Sequence, residues 1–305
     1  MIYTKTRKPN ALYELSESRS AYLMLAPFTL FFLIFTVLAV VSAMGLSLTN
    51  YNLIEKPVFS GWTNYVRTLI DDDILIIAVK NTLMFAIITG PASYILCLFF
   101  AWMINELPHS LKIIMTFVFY APSISGSVYI IWTYIFSSDA YGLVNSLLMR
   151  TGLIMEPVLW LADTRYILPI VILVQLWSSL GTSFLAFIAG FQSIDKNLYE
   201  SGAIDGIKNR FQELMYITLP AMGPQLMFAA VMQIGASFAA GDISVALAGN
   251  PSVDYAAHTV VTHISDYAIG RYEMGYACAL STLLFAVMLL TNSGVSKFLR
   301  RHTNL

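Results

Sequence analysis

Six apolar runs, each about 20 residues or longer, divide this chain of 305 residues more strongly than any other feature. A helical run of this length matches the thickness of the hydrocarbon core of a bilayer. The composition agrees, because 57% of the residues are hydrophobic and 11% are charged, against about 25% charged in soluble domains. The sequence predicts an all-α polytopic membrane protein with six spans, at approximately 22–48, 79–104, 112–136, 167–190, 221–245 and 274–296.

Lysine and arginine indicate which way the spans face. With a cytoplasmic N-terminus, 11 of these residues lie on the inner side and 6 on the outer side, as the positive-inside rule requires. We therefore expect a cytoplasmic N-terminal segment at 1–21, a six-helix transmembrane domain at 22–297 and a cytoplasmic tail at 298–305. The predicted outer loops are 49–78, 137–166 and 246–273.

One long inner loop, 191–220, is polar in an otherwise apolar half of the chain. It carries seven charged residues: Asp195, Lys196, Glu200, Asp205, Lys208, Arg210 and Glu213. Each charge would cost about 2.5–3.5 kcal/mol at the centre of a bilayer. The loop therefore lies at the cytoplasmic face, between the fourth and fifth spans.

Local signals predict two short helices in this loop. Ser193 or Asp195 can cap the first helix, and Gly206 suits the left-handed conformation at its end. Asn209 can cap the second helix, with Gln212 three residues later in an approximate capping box. The second helix carries an apolar stripe, formed by Phe211, Leu214 and Met215.

The first helix of the loop has a surface suited to contact with another protein. Its small residues, Ser201, Gly202 and Ala203, would let a partner approach the backbone, and Glu200 and Asp205 offer charge for recognition. The alternative is an amphipathic helix that lies on the membrane surface.

The strings "ESGAIDG" and "ITLP" in this loop resemble the EAA loop of ABC-importer permeases, which reads Glu-Ala-Ala, three residues, Gly, and later Ile-x-Leu-Pro. The matching residues of the carbohydrate-importer version are Glu200, Asp205, Gly206, Ile217, Leu219 and Pro220. Further family-like strings are "FSGWTNYVR" at 59–67, "KNTLMF" at 80–85, "DAYGLVNSLL" at 139–148 and "LGTSFLAFIAGFQSIDKNLYE" at 180–200. The resemblance extends over most of the chain.

The sequence departs from this pattern twice. Ser201 and Gly202 replace the two alanines, and ten residues rather than nine separate Gly206 from Ile217. An extra residue within the second helix would rotate it by about 100°. We therefore expect the insertion in the turn at 207–209.

The resemblance implies a coupling helix that docks on a separate ATPase, through Glu200, Ser201, Gly202, Ala203, Asp205 and Gly206. It also implies two ATPase subunits, a second homologous permease in a heterodimer, an extracytoplasmic solute-binding protein and a carbohydrate substrate, in a bacterial cell membrane. ATP and Mg would bind to the ATPase, because the chain has no Gly-x-x-x-x-Gly-Lys phosphate loop. We expect no cofactor in this chain and no enzyme activity of its own, and its net charge of -1 gives no basic footprint for nucleic acid.

The histidines do not predict a metal or catalytic site. In "HTVVTHISD", His258 and His263 are five residues apart, whereas a helical metal pair prefers four, and no third clear ligand follows. We expect this segment at an outer-loop surface or a partner contact. No histidine accompanies a Gly-x-Ser-x-Gly turn, which disfavours an intramembrane enzyme.

Polar and aromatic residues inside the spans are candidates for a substrate path, because burying them in hydrocarbon is costly. Aromatic rings can stack on a sugar face while amides and carboxylates bind its hydroxyls. The candidates are Tyr129, Gln175, Trp177, Gln233 and Asp242. The same residues could instead make hydrogen bonds between helices or anchor the spans at the interface.

The family resemblance implies a permease subunit that moves a carbohydrate, and in particular an oligosaccharide, by ATP-coupled alternating access. The alternative is a stand-alone secondary transporter driven by an ion gradient. That alternative predicts paired intramembrane carboxylates, or broken helices in an internal inverted repeat.

Overall fold

The computed structural model describes residues 19–126 and 128–302. Most of the predicted N-terminal segment, and the end of the predicted tail, lie outside these residues. In chain order the first helices are α1 (Arg19–Phe32), α2 (Leu38–Leu46), α3 (Thr63–Ile70), α4 (Asp73–Asn105), α5 (His109–Ile124), α6 (Tyr129–Ile135), α7 (Leu143–Arg150) and α8 (Thr164–Ser178). The remaining α-helices are α9 (Thr182–Ser193), α10 (Lys196–Ile204), α11 (Arg210–Glu213), α12 (Leu219–Ala221), α13 (Gly223–Phe238), α14 (Asp242–Ala248), α15 (Val260–Ser265) and α16 (Met274–His302).

Shorter elements complete the described chain. π-Helical segments occur at Leu33–Val37, Leu214–Thr218 and Asp266–Gly270, and a 3-10 turn occurs at Val253–Tyr255. Two short antiparallel strands, β1 (Thr49–Asn50) and β2 (Val58–Phe59), pair with each other. All other elements of the described residues are helices, which confirms the predicted all-α architecture.

Five helical stretches are long and apolar enough to cross a membrane, and a sixth span results when α5 and α6 are taken together. The five are Tyr22–Leu46, Asp73–Asn105, Thr164–Ser193, Gly223–Ala248 and Met274–Arg301. The sequence did not predict that the third span, α5 and α6, is bent by 87°. The last helix, α16, also continues past the predicted domain end at 297.

The second, fourth and fifth spans pack together as the core of the bundle. Cys97 and Ala101 on α4, Phe184 and Phe187 on α9, and Ala229 on α13 belong to one buried cluster. Small residues among aromatic rings let neighbouring helices approach closely, which is how membrane helices associate without a hydrophobic driving force.

The first span is only partly attached to this core. Its second half, α2, packs on α16, whereas large side chains of its first half face away from the chain, such as Leu23 at 71% and Met24 at 83% exposure. None of the 18-residue apolar window of this span is buried. Lipid or another subunit must cover it.

Three buried asparagines secure the connections at the end of the bundle opposite the 191–220 loop. Nδ2 of Asn64 donates to the carbonyls of Ser47 and Thr49, at 2.9 Å each. Nδ2 of Asn81 donates to the carbonyls of Tyr255 and His258, at 3.0 Å each.

Asn145 binds a third connection, the segment 137–160. Its Nδ2 contacts the carbonyls of Ser137, Asp139 and Val158, and its Oδ1 accepts from Nε1 of Trp160 at 2.8 Å. Each asparagine lies in one of the family-like strings. The asparagine of each string therefore stabilises the conformation of a loop, because one buried amide can bind several backbone groups at once.

A buried polar cluster joins the start of α4 to α15 and α16. Nε2 of His263 lies 2.9 Å from Oδ2 of Asp72, and the hydroxyl of Tyr276 donates to the same oxygen at 2.7 Å. Nδ1 of His263 lies 3.1 Å from Nε2 of His258. His258 and His263 are 2% and 0% exposed. The expectation that they lie at a loop surface or partner contact is therefore wrong, because hydrogen bonds within the cluster allow their burial.

Burial controls the protonation of this cluster. Burial, with His263 beside it, lowers the pKa of His258 to about 4. Burial also acts to raise the pKa of Asp72, but hydrogen bonds from Tyr276 and His263 outweigh it and hold that pKa below its usual range. His258 is therefore neutral and Asp72 ionised near neutral pH.

Candidate functional site

Three spans are each interrupted part-way along their length. The third breaks between α5 and α6, the fourth between α8 and α9, and the fifth between α13 and α14. In the last two breaks a glycine N–H reaches back two residues: Gly181 to the carbonyl of Ser179, and Gly241 to that of Ala239, at 2.8 Å each. Irregular backbone within a membrane is tolerated where it is buried in protein or lines a cavity.

Close approach explains the glycine in the fourth span. A Cβ on Gly181 would lie 3.1 Å from Cβ of Ser123 on α5. A side chain at this position would therefore require Ser123 to shift. The glycine allows the third and fourth spans to lie in close contact at their breaks.

A cavity of about 310 Å³ is bounded by all three broken spans. Its lining is rich in hydroxyl and amide groups: Tyr120, Ser123, Ser125, Tyr129, Gln175, Ser178, Ser179, Thr182, Ser183 and Gln233. Its volume is at the lower end of the range for small-molecule sites, about 300–1,000 Å³. No carboxylate belongs to the lining within residues 19–126 and 128–302.

Two amides in the lining have no hydrogen-bond partner in the described chain. Gln175 on α8 is 7% exposed and Gln233 on α13 is 3% exposed. Oγ of Ser178 is also buried without a partner. The amide groups of Gln175 and Gln233 border the cavity, and an amide can both donate to and accept from a hydroxyl. The arrangement fits a polar occupant with many hydroxyls.

The structure brings together three of the five predicted path residues, namely Tyr129, Gln175 and Gln233. Trp177 is not part of the lining, because its ring packs edge-on against Trp132 with centroids 5.3 Å apart. Asp242 is exposed at the first turn of α14 and also lies outside the lining. Of the predicted path residues, the two amides and the tyrosine therefore lie at this cavity.

Sequence reasoning missed most of the small hydroxyl residues of the cavity. The string "SSLGTS" at 178–183 holds five of the lining residues, and its glycine marks the break. A glycine among serines and threonines inside an apolar span was the signal that could have found them.

The 191–220 loop forms the two predicted helices, α10 and α11. Asp195 accepts from the backbone N–H of Asn197 at 3.0 Å, and Asn209 accepts from that of Gln212 at 2.8 Å. Gly206 has a φ of 96°, a conformation that favours glycine. The predicted caps and helix end are therefore confirmed.

The two helices present different residues than the sequence suggested. On α10, Glu200, Ser201, Ala203 and Asp205 are exposed, whereas Gly202 is buried. The small size of Gly202 therefore serves contacts inside the chain and not approach of a partner to the backbone.

The predicted apolar stripe of the second helix is divided between two sides. Leu214 is buried, but Phe211 is 61% and Met215 47% exposed. The helix also changes to a π-helical segment at Leu214–Thr218. A π-turn is how a helix accommodates one extra residue, so the structure offers a place for the insertion other than the expected turn at 207–209.

Charged contacts tie the loop to the turn between the second and third spans. The guanidinium of Arg210 lies 2.8 Å from Glu213 and 3.5 Å from Glu106. The hydrogen bond to Glu213, with Glu106 nearby, raises the pKa of Arg210. Among the residues that the structure describes, no group of three or more His, Cys, Asp or Glu side chains could hold a metal ion.

Six apolar spans, of which three are interrupted around a polar cavity, define a multi-pass membrane transport protein. Comparison with known proteins narrows this class. The chain is 29% identical over 278 residues to the probable ABC transporter permease protein YesP of Bacillus subtilis. The matched region covers 89% of this chain and 87% of YesP. It is 27% identical over 283 residues to the arabinooligosaccharides transport system permease protein AraP of Bacillus subtilis, at 91% and 87% coverage.

Solved structures have the same fold. A bacterial ABC transporter involved in the import of the acidic polysaccharide alginate matches with a TM-score of 0.74 and 25% identity, covering 95% of this chain and 98% of that chain. The alginate transporter in complex with an alginate pentasaccharide-bound periplasmic protein matches with a TM-score of 0.77 and 24% identity, at 96% and 98% coverage. No family model matches the chain.

The chain belongs to the ABC-importer permeases of the binding-protein-dependent carbohydrate family. A permease is the membrane subunit of such an importer and not an enzyme, since the ATPase is a separate subunit.

Proposed function

We propose that this permease translocates a carbohydrate, an oligosaccharide in particular, through the cavity at its three broken spans. The observation that carries the proposal is the pair of buried, unpartnered amides, Gln175 and Gln233, facing one space with several hydroxyl groups. A sugar can donate to and accept from these groups, and Tyr129 offers an aromatic ring for its apolar face. The names of AraP and of the alginate importer point to the same substrate class.

The 191–220 loop is the contact with the ATPase in this proposal. Glu200, Ser201, Ala203 and Asp205 form its exposed docking surface, and Gly206 sets the turn that follows. Gly202 supports this surface from inside. Two ATPase subunits would bind ATP and Mg, and this chain would bind neither.

The remaining partners cover surfaces that the chain leaves open. A second, homologous permease in a heterodimer, together with lipid, would cover the first span. A solute-binding protein would dock at the opposite end, on the loops that Asn64, Asn81 and Asn145 secure. The predicted orientation, with both termini cytoplasmic in a bacterial cell membrane, places each surface on the side where its partner is found.

The mechanism is alternating access. ATP binding closes the ATPase pair and moves the docked loops, which opens the path outward to receive sugar from the binding protein. ATP hydrolysis then returns the permease to its inward-facing state. The broken spans provide the element that can bend, because their backbone hydrogen-bond ladders are already interrupted at the cavity.

A stand-alone, ion-coupled transporter is the competing function. It predicts paired carboxylates within the membrane, or broken helices in an internal inverted repeat. The described lining of the cavity holds no carboxylate. Broken helices are present, but no internal repeat is evident in the sequence. The deciding experiment reconstitutes the complex of both permeases and the ATPase in liposomes with the binding protein and candidate sugars. Uptake that requires ATP and the binding protein supports the proposal. Uptake by this chain alone under a proton or sodium gradient overturns it.

A further inference from the structure

Within the 191–220 loop, two hydrogen bonds of Thr218 join α10 to the helical segment that leads into the fifth span. The hydroxyl of Tyr199, on α10, lies 3.0 Å from Oγ1 of Thr218. Thr218 is buried, and its hydroxyl donates to the carbonyl of Glu213 at 3.2 Å. Because Thr218 has one hydroxyl proton, Tyr199 is the donor between the two hydroxyls. These hydrogen bonds therefore connect α10 to the π-helical segment that precedes the fifth span.

An apolar contact lies beside these hydrogen bonds. A Cβ on Gly202 would lie 2.5 Å from Cδ1 of Ile217 and 3.1 Å from Cδ1 of Ile207. Ile217 therefore occupies the space that a side chain at position 202 would need. The residues that hold α10, Ile217 and Thr218, are adjacent in sequence.

Both of these residues belong to the π-helical segment Leu214–Thr218. The N–H of Leu219 donates to the carbonyl of Leu214, five residues earlier. This wider turn determines which side of the helix Ile217 and Thr218 present. Gly202 therefore contacts Ile217 at the wide turn, where a larger side chain at position 202 would not fit.

A continuous route leads from this contact to the cavity. Met222 is completely buried, and a Cβ on Gly190 of α9 would lie 2.5 Å from its Cε. From there α13 continues to Gln233 in the cavity wall. The distance from Thr218 to Gln233 is about 22 Å at the rise of an α-helix.

We propose that Tyr199 and Gly202 are positioning residues that lock the coupling helix to the fifth span and so transmit its movement to the cavity. The inference rests on the proposed function, because it assumes that an ATPase moves α10. Neither residue contacts the sugar. Their loss reduces the sugar moved for each ATP hydrolysed, whereas a purely structural role would reduce the amount of assembled complex.

The first test measures sugar uptake per ATP hydrolysed in liposomes that hold the complete complex. Wild-type protein is assayed first, and a wild type that does not import sugar overturns the proposed function itself. In Tyr199→Phe, which removes one hydroxyl, we expect this ratio to fall about fivefold. Tyr216→Phe is the matched control, because Tyr216 is 72% exposed on the same π-helical segment. An unchanged ratio in Tyr199→Phe contradicts the proposal.

The second test uses a compensating pair and does not depend on Tyr199. Gly202→Ala should lower the ratio, because the new methyl group meets Cδ1 of Ile217. Ile217→Val removes that atom, so the double variant should recover to within about twofold of wild type. A double variant as impaired as Gly202→Ala alone, or a Gly202→Ala variant with the wild-type ratio, overturns the proposed contact.

Discussion

Nε2 of His263 lies 2.9 Å from Oδ2 of Asp72, and the two side chains are 1% and 3% exposed. The two residues are 191 positions apart in sequence: Asp72 precedes the first residue of α4, and His263 lies in α15. A second histidine, His258, extends the cluster through Nδ1 of His263. The spans thus meet at a polar junction at the end opposite the 191–220 loop.

This junction predicts that acid destabilises the permease. The pKa of His258 is lowered from 6.5 to about 4, so between these pH values the unfolded chain binds a proton that the folded chain does not. Stability therefore falls as pH decreases through this window, by at most about 1.4 kcal/mol per pH unit. The lowered pKa of Asp72 acts with the same sign, below the ordinary value of 3.8.

Thermal unfolding of the purified permease in detergent, followed from pH 7 to pH 4, checks this prediction. The His258→Gln variant should show a weaker dependence on pH in the same window. An equally steep dependence in the variant would assign the effect to other groups.

Asn145 should be essential for the segment 137–160. It is completely buried and binds three carbonyls, an N–H and the indole of Trp160. Asn145→Ala leaves these groups unpaired, and we expect a loss of about 3 kcal/mol in the free energy of unfolding. Chemical denaturation measures the loss. Asn52→Ala, in a half-buried turn, is the control, and equal losses in the two variants would refute the role of Asn145.

The cavity amides should determine the affinity for sugar. In Gln175→Ala and Gln233→Ala we expect the sugar concentration for half-maximal uptake to rise about tenfold, because each variant removes hydrogen bonds to the substrate. Gln225→Ala is the matched control, since Gln225 lies on α13 with Gln233 but outside the cavity lining. Unaltered uptake by both cavity variants would place the path elsewhere.

Gly206 should be required for the shape of the 191–220 loop. Its φ of 96° is incompatible with the φ of about −65° that proline requires. We expect Gly206→Pro to enter the membrane normally and to lose the ATPase during co-purification. Retention of the ATPase at the wild-type level would show that the turn after α10 is not needed for docking.

The sequence was a reliable guide wherever a pattern is local. Apolar length located the six spans, and the caps Asp195 and Asn209 depend on neighbouring residues alone. The breaks in three spans were not foreseen, because an apolar run with a single glycine, such as that at Gly181, also fits an unbroken helix.

Contacts between distant parts of the chain account for the other errors. His258 and His263 were expected at a surface because their burial depends on Asp72, which is far away in sequence. Trp177 and Asp242 were expected on the path because polarity and aromaticity do not reveal which side of a helix faces a cavity. Gln175 and Gln233 face the same cavity because two separate helices break beside it.

The central claim is that α10 couples this permease to an ATPase that powers sugar import. The most direct measurement is ATP hydrolysis by the complex of both permeases and the ATPase, with and without sugar-loaded binding protein. The Glu200→Lys variant is compared with wild type, and Lys297→Glu, a charge reversal at an exposed residue of α16, controls for membrane insertion. We predict that sugar-loaded binding protein stimulates hydrolysis by the wild type and that Glu200→Lys abolishes this stimulation. Equal stimulation in Glu200→Lys and wild type would contradict the account.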